Sequence, residues 1–322
     1  MVKVAIVGYG GIGNIHFCAY KKISNARVVA VVDTRCDEVR EKLADDSISV
    51  YPTLDALFAA EKPDMIDICA PTHLHKELSI KALDSGVHVL CEKPMGRNTE
   101  ETAEIIAAAK RSGKYFMTAQ VVRFMTAYRY LKSVVDSGEL GRPVHLDLKR
   151  TGEIPRWIKS QWISSTGQSG GVTMDLSIHD IDFAQYLFGE PKDISALHYT
   201  MKNSNNYTLT NMIYDGLVVS ITGGWYSYGI EFSAEYRAIF ENGCVELKGG
   251  KVYKNGVAIE LPSAPVAENS GINLSSLDGF IDEISYFVDS VESGREPVAV
   301  TPESSENAIR LVEKILATAK EV

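Results

Sequence analysis

The sequence predicts an α/β protein with two sheets, a doubly wound parallel sheet followed by a large, mostly antiparallel open one. Three observations carry that expectation. Residues 4–33 read VAIVGYGGIGNIHFCAYKKISNARVVAVVD: an apolar run, a glycine turn, an amphipathic stretch, a second apolar run and an acid. Strand-like and helix-like runs then alternate as far as residue 121. Beyond residue 122, strand-like runs follow one another directly. Asp215-Gly216, Asn242-Gly243 and Asn255-Gly256 lie between them as hairpin turns.

The first segment is the most specific. Gly8, Gly10 and Gly13 form G-x-G-x-x-G after a strand and before a helix, and Asp33 stands twenty residues past Gly13 at the end of the next strand. In that context the motif predicts a Rossmann dinucleotide site. Gly8 allows the tight turn, Gly10 the close approach of backbone to a pyrophosphate, and Gly13 the close packing of helix on strand. Tyr9, Gly11 and Ile12 complete the turn, and the helix N-terminus receives the phosphate charge. Asp33 suits a ribose 2′-hydroxyl and repels a 2′-phosphate, which favours NAD. Arg35 pulls the other way and keeps NADP possible.

The alternation continues with helices at about 36–46, Thr53–Ala60, His75–Ser85 and Thr99–Ser112. The strands between and after them are Met65–Ala70, His88–Cys91 and Tyr115–Val121. Gly86 and Gly113 stand where helix C-terminal glycines belong. Residues 1–121 are thus expected to be a dinucleotide-binding domain, and 122–322 a second, α+β domain. There a helix at Tyr128–Ser137, closed by Gly138, leads to a strand at Pro143–Arg150 and a polar, aromatic loop at Thr151–Gly171. A helix ends at Gly189. Strands follow at Ile194–Met201, Tyr207–Tyr214, Leu217–Tyr226, Ala234–Glu241, Cys244–Lys248, Val252–Tyr253 and Val257–Leu261, and Pro302–Lys320 reads as a last amphipathic helix. Helices are expected on one face of this sheet.

Composition excludes several classes. The 322 residues, 45% hydrophobic, suffice for two cores, and 33 basic against 42 acidic side chains give a net charge of −9. Such a balance works against nucleic acid and against an anionic membrane surface. No apolar run approaches the ~20 residues that span a bilayer, and the N-terminal strand lacks the longer apolar core of a signal peptide. The five cysteines, Cys18, Cys36, Cys69, Cys91 and Cys244, are widely spaced and set mostly in apolar runs. They read as reduced, buried thiols of a cytoplasmic protein, with no C-x-x-C pair for structural zinc.

Two further stretches bear chemistry. Cys91-Glu92-Lys93-Pro94 ends a parallel strand at the edge where open α/β sheets place ligands. Lys93 reads either as a group aimed into that crevice or as a solvent-facing loop lysine. In GGVTMDLSIHDID, Asp175, His179 and Asp182 share one face of a helix. An acid one turn from an imidazole suits a general base, and a capping acid beside a packed histidine is the other reading. His73, His75 and His179 could supply nitrogens to a metal, but imidazoles two residues apart on a helix face apart, and no metal is expected.

CAPTHLHKELSIKALDSGVHVLCEKPMGRNTEETAEII resembles the T-P-x-x-x-H … A-L-x-x-G-x-H-V-x-x-E-K-P block of the glucose-fructose oxidoreductase and inositol dehydrogenase (Gfo/Idh/MocA) family. AQVVRF, Trp162 and GGVTMDLSIHDIDF resemble its later blocks, so the resemblance runs through essentially the whole chain. Two departures stand out: P-T at 71–72 where T-P at 70–71 is common, and two glycines after Ser169 where three are usual. The resemblance implies oxidation of a secondary hydroxyl on a sugar or inositol-like ring by NAD(P), with the cofactor between two domains. It also implies a homodimer or homotetramer held by the open sheet. Lys93 matches the catalytic lysine and His179 the usual base, with Asp175 matching the acid of D-x-x-x-H. Pro71, Thr72, His75, Glu92 and Lys93 are the cofactor contacts it suggests. Arg123, Arg156, Trp157 and Trp162 are candidates for the substrate, since tryptophan faces stack on sugar C–H surfaces, although Trp162 reads equally as a buried structural residue. Two rivals remain: a non-catalytic NAD-binding sensor, and an NAD-dependent glycosidase that oxidises its ring only transiently.

Overall fold

The structure, a computed structural model, describes residues 1–153, 171–200, 206–226, 229–262, 265 and 277–322. The chain divides into two compact units, Met1–Val121 with Ala264–Asn307, and Val122–Ser263 with Ala308–Val322.

In the first unit, six parallel strands form one sheet: β1 (Val2–Val7), β2 (Ala26–Val32), β3 (Ser49–Tyr51), β4 (Met65–Ile68), β5 (His88–Glu92) and β6 (Phe116–Ala119). Their order is β3-β2-β1-β4-β5-β6. Helices α1 (Gly11–Tyr20), α2 (Cys36–Leu43), α3 (Leu54–Ala60), α4 (His75–Asp84) and α5 (Thr99–Ser112) join them. Strand order reverses between β1 and β4, the switch point at which such sheets bind ligands. Consecutive buried residues, such as Val4 to Val7 in β1 and Met65 to Ile68 in β4, show that the central strands are covered on both faces. The α2 helix stops at Leu43 because Ala44 turns left-handed, with φ 47°.

The expected continuous second domain at 122–322 needs correction, because residues 264–307 return to the first unit. They carry a helix, Phe280–Ser293, that the sequence reading did not identify. Its buried stripe of Phe280, Ile284, Phe287 and Val288 recurs at helical spacing. Phe280 meets the His16 ring edge-on at 5.7 Å, and Asn25 donates to Asp289 and Glu292 at 2.9 and 2.7 Å. Those contacts tie the helix to α1 and to the turn before β2.

His88, at the start of β5, accepts the Tyr115 N–H at Nδ1 over 3.0 Å. Burial, with the nearby Lys114 charge, pushes its pKa down to about 4. The unfolded chain therefore binds the extra proton between about pH 4 and 6.5, and stability falls as pH drops through that window. We expect Tm to decline from pH 7 to pH 4.5, and His88→Asn to flatten that slope in calorimetry. An unchanged slope would show that other groups control the decline.

In the second unit, nine strands form the sheet β14-β13-β12-β11-β7-β10-β9-β8-β15. They are β7 (Pro143–Glu153), β8 (Asp193–Thr200), β9 (Asn206–Tyr214), β10 (Leu217–Tyr226), β11 (Ser233–Phe240), β12 (Gly243–Lys248), β13 (Lys251–Lys254), β14 (Val257–Ile259) and β15 (Lys320–Glu321). Only β7 with β10 and β8 with β15 pair in parallel, so the sheet is mostly antiparallel as expected. The unit's helices include α6 (Thr126–Ser137) and α7 (Ile178–Phe188). Leu146, Leu148 and Arg150 alternate inward on β7, as Leu217, Val219 and Ile221 do on β10. Tyr236 of β11 donates to Ala127 O at 2.8 Å, and Tyr128 packs edge-on against Phe183 at 4.9 Å, so helices cover this face. Leu197 and Tyr199 on β8 and Val218 on β10 alternate to the opposite face and stand exposed. All five cysteines are free, as expected, but only Cys91 is buried and the others are partly exposed.

Candidate functional site

The glycine turn has the build a pyrophosphate needs. Gly8 holds φ 92°, and a Cβ there would lie 2.7 Å from Cys69 O at the end of β4. A Cβ on Gly13 would overlap the Gly8 carbonyl oxygen, whereas one on Gly10 would meet nothing within 4 Å. Gly8 and Gly13 are therefore required by packing, and Gly10 leaves space over the start of α1. That helix has no side-chain cap and no acid in its first turn, so the N–H groups from Gly11 and Ile12 onward suit an anion. These residues fit a dinucleotide. Tyr9 is buried and packs edge-on against Phe17 at 5.7 Å, which leaves its backbone as the part near the turn.

Asp33 is heavily engaged. Its carboxylate accepts from Tyr9 N at 2.9 Å, Arg35 N at 2.9 Å, Arg35 Nε at 3.0 Å and Arg35 Nη2 at 2.9 Å. Burial alone would raise its pKa, but the bonds to Arg35 and Tyr9 outweigh it and hold the carboxyl below its usual range. The acid that would read a ribose is thus paired with the cation that would read a 2′-phosphate.

The turn after β5 is pinned on both sides of Lys93. Glu92 Oε2 accepts the Lys93 N–H at 3.0 Å, and Glu92 Oε1 lies 3.1 Å from His16 Nε2. On the far side, Pro94 O lies 2.7 Å from His75 Nδ1, while His75 Nε2 lies 2.8 Å from Ala70 O. Glu92 and His75 are buried, each bonded to protein groups, and so act as braces rather than as open cofactor contacts. Thr72 is buried in a short 3₁₀ turn, Thr72–Leu74, in which Leu74 N bonds Pro71 O at 2.9 Å. Among residues 89–96, Lys93 alone is partly exposed.

His16 was missed by the sequence reading, though the acid in the apolar run Met-Ile-Asp-Ile-Cys signalled a buried polar partner. Its Nδ1 lies 2.9 Å from Asp67 Oδ2, and both side chains are fully buried. Burial opposes charge on the ring, but Asp67 and Cys69 outweigh it and raise the imidazole pKa well above its usual value. The protonated ring then donates to Asp67 and Glu92 together. His16, Asp67 and Cys69 also bring potential ligand atoms within 4.8 Å of one another. Burial pushes the Cys69 thiol up, and a hydrogen-bond network joins the three groups, with Cys69 Sγ 3.6 Å from Asp67 Oδ1. The metal reading of His73, His75 and His179 loses His75, whose two nitrogens face backbone carbonyls.

In the second unit, Asp175 sits in a π-helical turn, Thr173–Ser177, that runs into α7 two residues before His179. Such turns recur at functional sites. Gly223 of β10 makes room for it, since a Cβ there would overlap Ser177 Oγ, and an interior strand glycine is the signal that marks such an approach. Across residues 171–184, His179 alone is partly exposed, and Asp175 is buried. Asp182 does not join them as expected from helical spacing. It pairs with Arg123 instead, at 2.8 and 2.6 Å, with both side chains buried. Arg123, expected as a substrate contact, thereby holds α7, and its guanidinium lies 4.7 Å over the Tyr186 ring. A second buried pair joins Arg150 to Asp180 at 3.0 and 2.9 Å. Arg156, Trp157 and Trp162 lie outside the described residues.

Comparisons with known proteins bear on the family and the fold. Residues 2–120 match the oxidoreductase family model described as an NAD-binding Rossmann fold, and residues 128–246 match the GFO/IDH/MocA C-terminal domain model. The chain is 27% identical to a D-glucoside 3-dehydrogenase of Escherichia coli, over 88% of each chain. It is 32% identical to a myo-inositol 2-dehydrogenase of Thermotoga maritima over 59% of this chain, an alignment that spans about half (55%) of that relative. Among solved structures, an oxidoreductase from Agrobacterium radiobacter in complex with NAD+, L-tartaric acid and magnesium shares the fold. Its TM-score is 0.84 at 17% identity, covering 98% of this chain and 96% of that one. The glycine turn, the braced lysine turn and the two matched models together place the chain in the GFO/IDH/MocA family of NAD-binding oxidoreductases.

Proposed function

We propose that the chain is an NAD-dependent dehydrogenase that oxidises a secondary hydroxyl of a sugar or inositol-like ring. One pattern carries the reading: Lys93 and His179, the two groups such chemistry needs, are the partly exposed residues of otherwise buried runs. The relatives named as a glucoside 3-dehydrogenase and a myo-inositol 2-dehydrogenase support a ring hydroxyl as the target. When bound, NAD takes up the hydride from the substrate carbon. His179 removes the hydroxyl proton, and Asp175 holds that imidazole or a neighbouring hydroxyl. Lys93 donates a hydrogen bond to the same oxygen and stabilises the alkoxide charge as it develops. The exposed apolar side chains on the open sheet face support subunit contact in a homodimer or homotetramer, which light scattering reads directly. No helix among the described residues is long and apolar enough to cross a membrane, and the five free thiols support a reducing, cytoplasmic setting.

The test is a panel of inositols, aldoses, uronates and glycosides with NAD, followed at the NADH absorbance. Sugar released from a glycoside without net NADH would mark transient oxidation instead. Cofactor binding with no turnover of any kind would mark a sensor.

Cofactor choice follows from the Asp33–Arg35 pair. NAD is expected to be preferred to NADP, with the preference moderated by the guanidinium on the carboxylate. Arg35→Ala unmasks the acid and should widen the NAD:NADP ratio of kcat/KM, whereas Asp33→Ser should narrow it. A wild-type ratio at or below one would show that Arg35 dominates the pair.

A further inference from the structure

Lys93 presents a point charge on a flexible four-carbon stem, so its aim depends on how firmly its own backbone is held. Two buried histidines hold that backbone from opposite sides. His16, on α1, is anchored through Nδ1 on Asp67 and reaches Glu92 through Nε2 at 3.1 Å, and Glu92 in turn accepts the Lys93 N–H. His75, on α4, stands between two carbonyl acceptors, Ala70 O 2.8 Å from Nε2 and Pro94 O 2.7 Å from Nδ1; burial lowers its pKa, and the single N–H of the neutral ring donates to one or the other according to tautomer. Asp67 and Ala70 belong to β4 or to the residues just after it, the strand next to the glycine turn. Neither ring is open to a ligand, since His16 and His75 are 0% and 1% exposed. We infer that His16 and His75 are positioning residues, a two-sided clamp on the Glu92–Pro94 turn that sets the backbone from which Lys93 reaches the reacting oxygen. The inference rests on the proposed role of Lys93.

The two ring nitrogens of each histidine face separate partners, which makes the clamp testable by swaps. Asn places its amide near the Nδ1 position and Gln near the Nε2 position. His16→Asn therefore keeps the Asp67 anchor and loses the Glu92 contact, while His16→Gln keeps the reach to Glu92. His75 has the opposite sense: His75→Gln keeps a donor to Ala70 O and loses Pro94, while His75→Asn keeps a donor to Pro94 O. Amide hydrogen exchange on the protein without substrate should show the Lys93 N–H exchanging at least tenfold faster in His16→Asn and in His75→Gln. Peptides from β1 should be unchanged. With NAD and the inositols and aldoses of the panel, kcat should fall ~10- to 100-fold in those two variants, a loss typical of a reacting group misplaced by about an ångström. KM for NAD should stay within threefold, and His16→Gln and His75→Asn should each recover most of the lost kcat.

In a Lys93→Met background the same substitutions should cost less than twofold, because the clamp acts only through that side chain. Should a histidine variant fail to fold, Glu92→Gln supplies the same reading, since it keeps an acceptor for the Lys93 N–H but removes the anion that binds His16. Equal behaviour of Asn and Gln at both positions, or full losses persisting in Lys93→Met, would overturn the clamp while leaving the lysine's role intact. A Lys93→Met enzyme that keeps wild-type kcat would instead overturn the catalytic reading, and the clamp's purpose with it.

Discussion

Replacing His179 by Asn is expected to lower kcat by ~10²-fold or more, because a positioned general base typically contributes that much, while NAD affinity stays nearly unchanged. Lys93→Met should cost a comparable factor, since losing one donor to a developing oxyanion costs ~10²- to 10³-fold. Each residue reaches the surface from a run of buried neighbours, so truncation leaves the surrounding packing in place and the loss can be read as chemistry. In the proposed mechanism both roles belong to one transition state, in which the proton leaves as alkoxide charge grows. The double variant should therefore lose much less than the product of the single losses. Steady-state kinetics with the best substrate of the panel, alongside NAD titration by fluorescence, measures all three. Fully multiplicative losses, or a His179→Asn enzyme with wild-type kcat, would show that His179 is a structural residue of its helix.

Local chemistry is legible in the sequence. Gly8, Gly13 and Asp33 announce themselves because a left-handed turn, a close approach of helix to strand and an acid at a strand end each demand a residue type at a set spacing. The position of Lys93 was legible too, at the carboxyl end of a parallel strand, where the structure leaves it partly exposed. Long-range partners were not legible. Helical spacing put Asp182 beside His179, but spacing cannot reveal an arginine 59 positions away that takes the carboxylate for itself. His16 reads as one polar residue of an amphipathic helix, and its meaning depends on Asp67 and Glu92 from two other strands. The π-helical turn at Thr173–Ser177 needs the bare backbone of Gly223, and the helix at Phe280–Ser293 returns to a unit that had seemed complete at residue 121. The reassigned Arg123 shows how a residue type that suits a substrate suits a buried carboxylate equally well.

That reassignment carries the second large effect, this time on stability. Arg123 and Asp182 have side chains 5% and 1% exposed and meet through two parallel bonds, Nε to Oδ2 at 2.8 Å and Nη2 to Oδ1 at 2.6 Å. Both ions have left water, so the pair's net worth is small even though each partner needs the other. Asp182→Ala strands a buried guanidinium and should cost about 3–5 kcal/mol, the usual penalty for breaking such a pair. Asp182→Asn keeps one acceptor and should cost less. Arg123→Met with Asp182→Leu removes both charges and keeps apolar volume against Tyr186, so it should cost far less than the sum of the single losses. Urea midpoints for the wild type, for these variants and for the two single components of the double variant decide the matter. If Asp182→Ala shifts stability by under about 1 kcal/mol, the pair is solvated as a surface bridge would be. If Arg123→Met instead raises KM for a sugar with stability unchanged, the guanidinium serves the substrate after all. The expected order, with the single losses large and the double loss small, would mark the pair as the device that fixes α7, and with it the placement of His179 three residues upstream of Asp182.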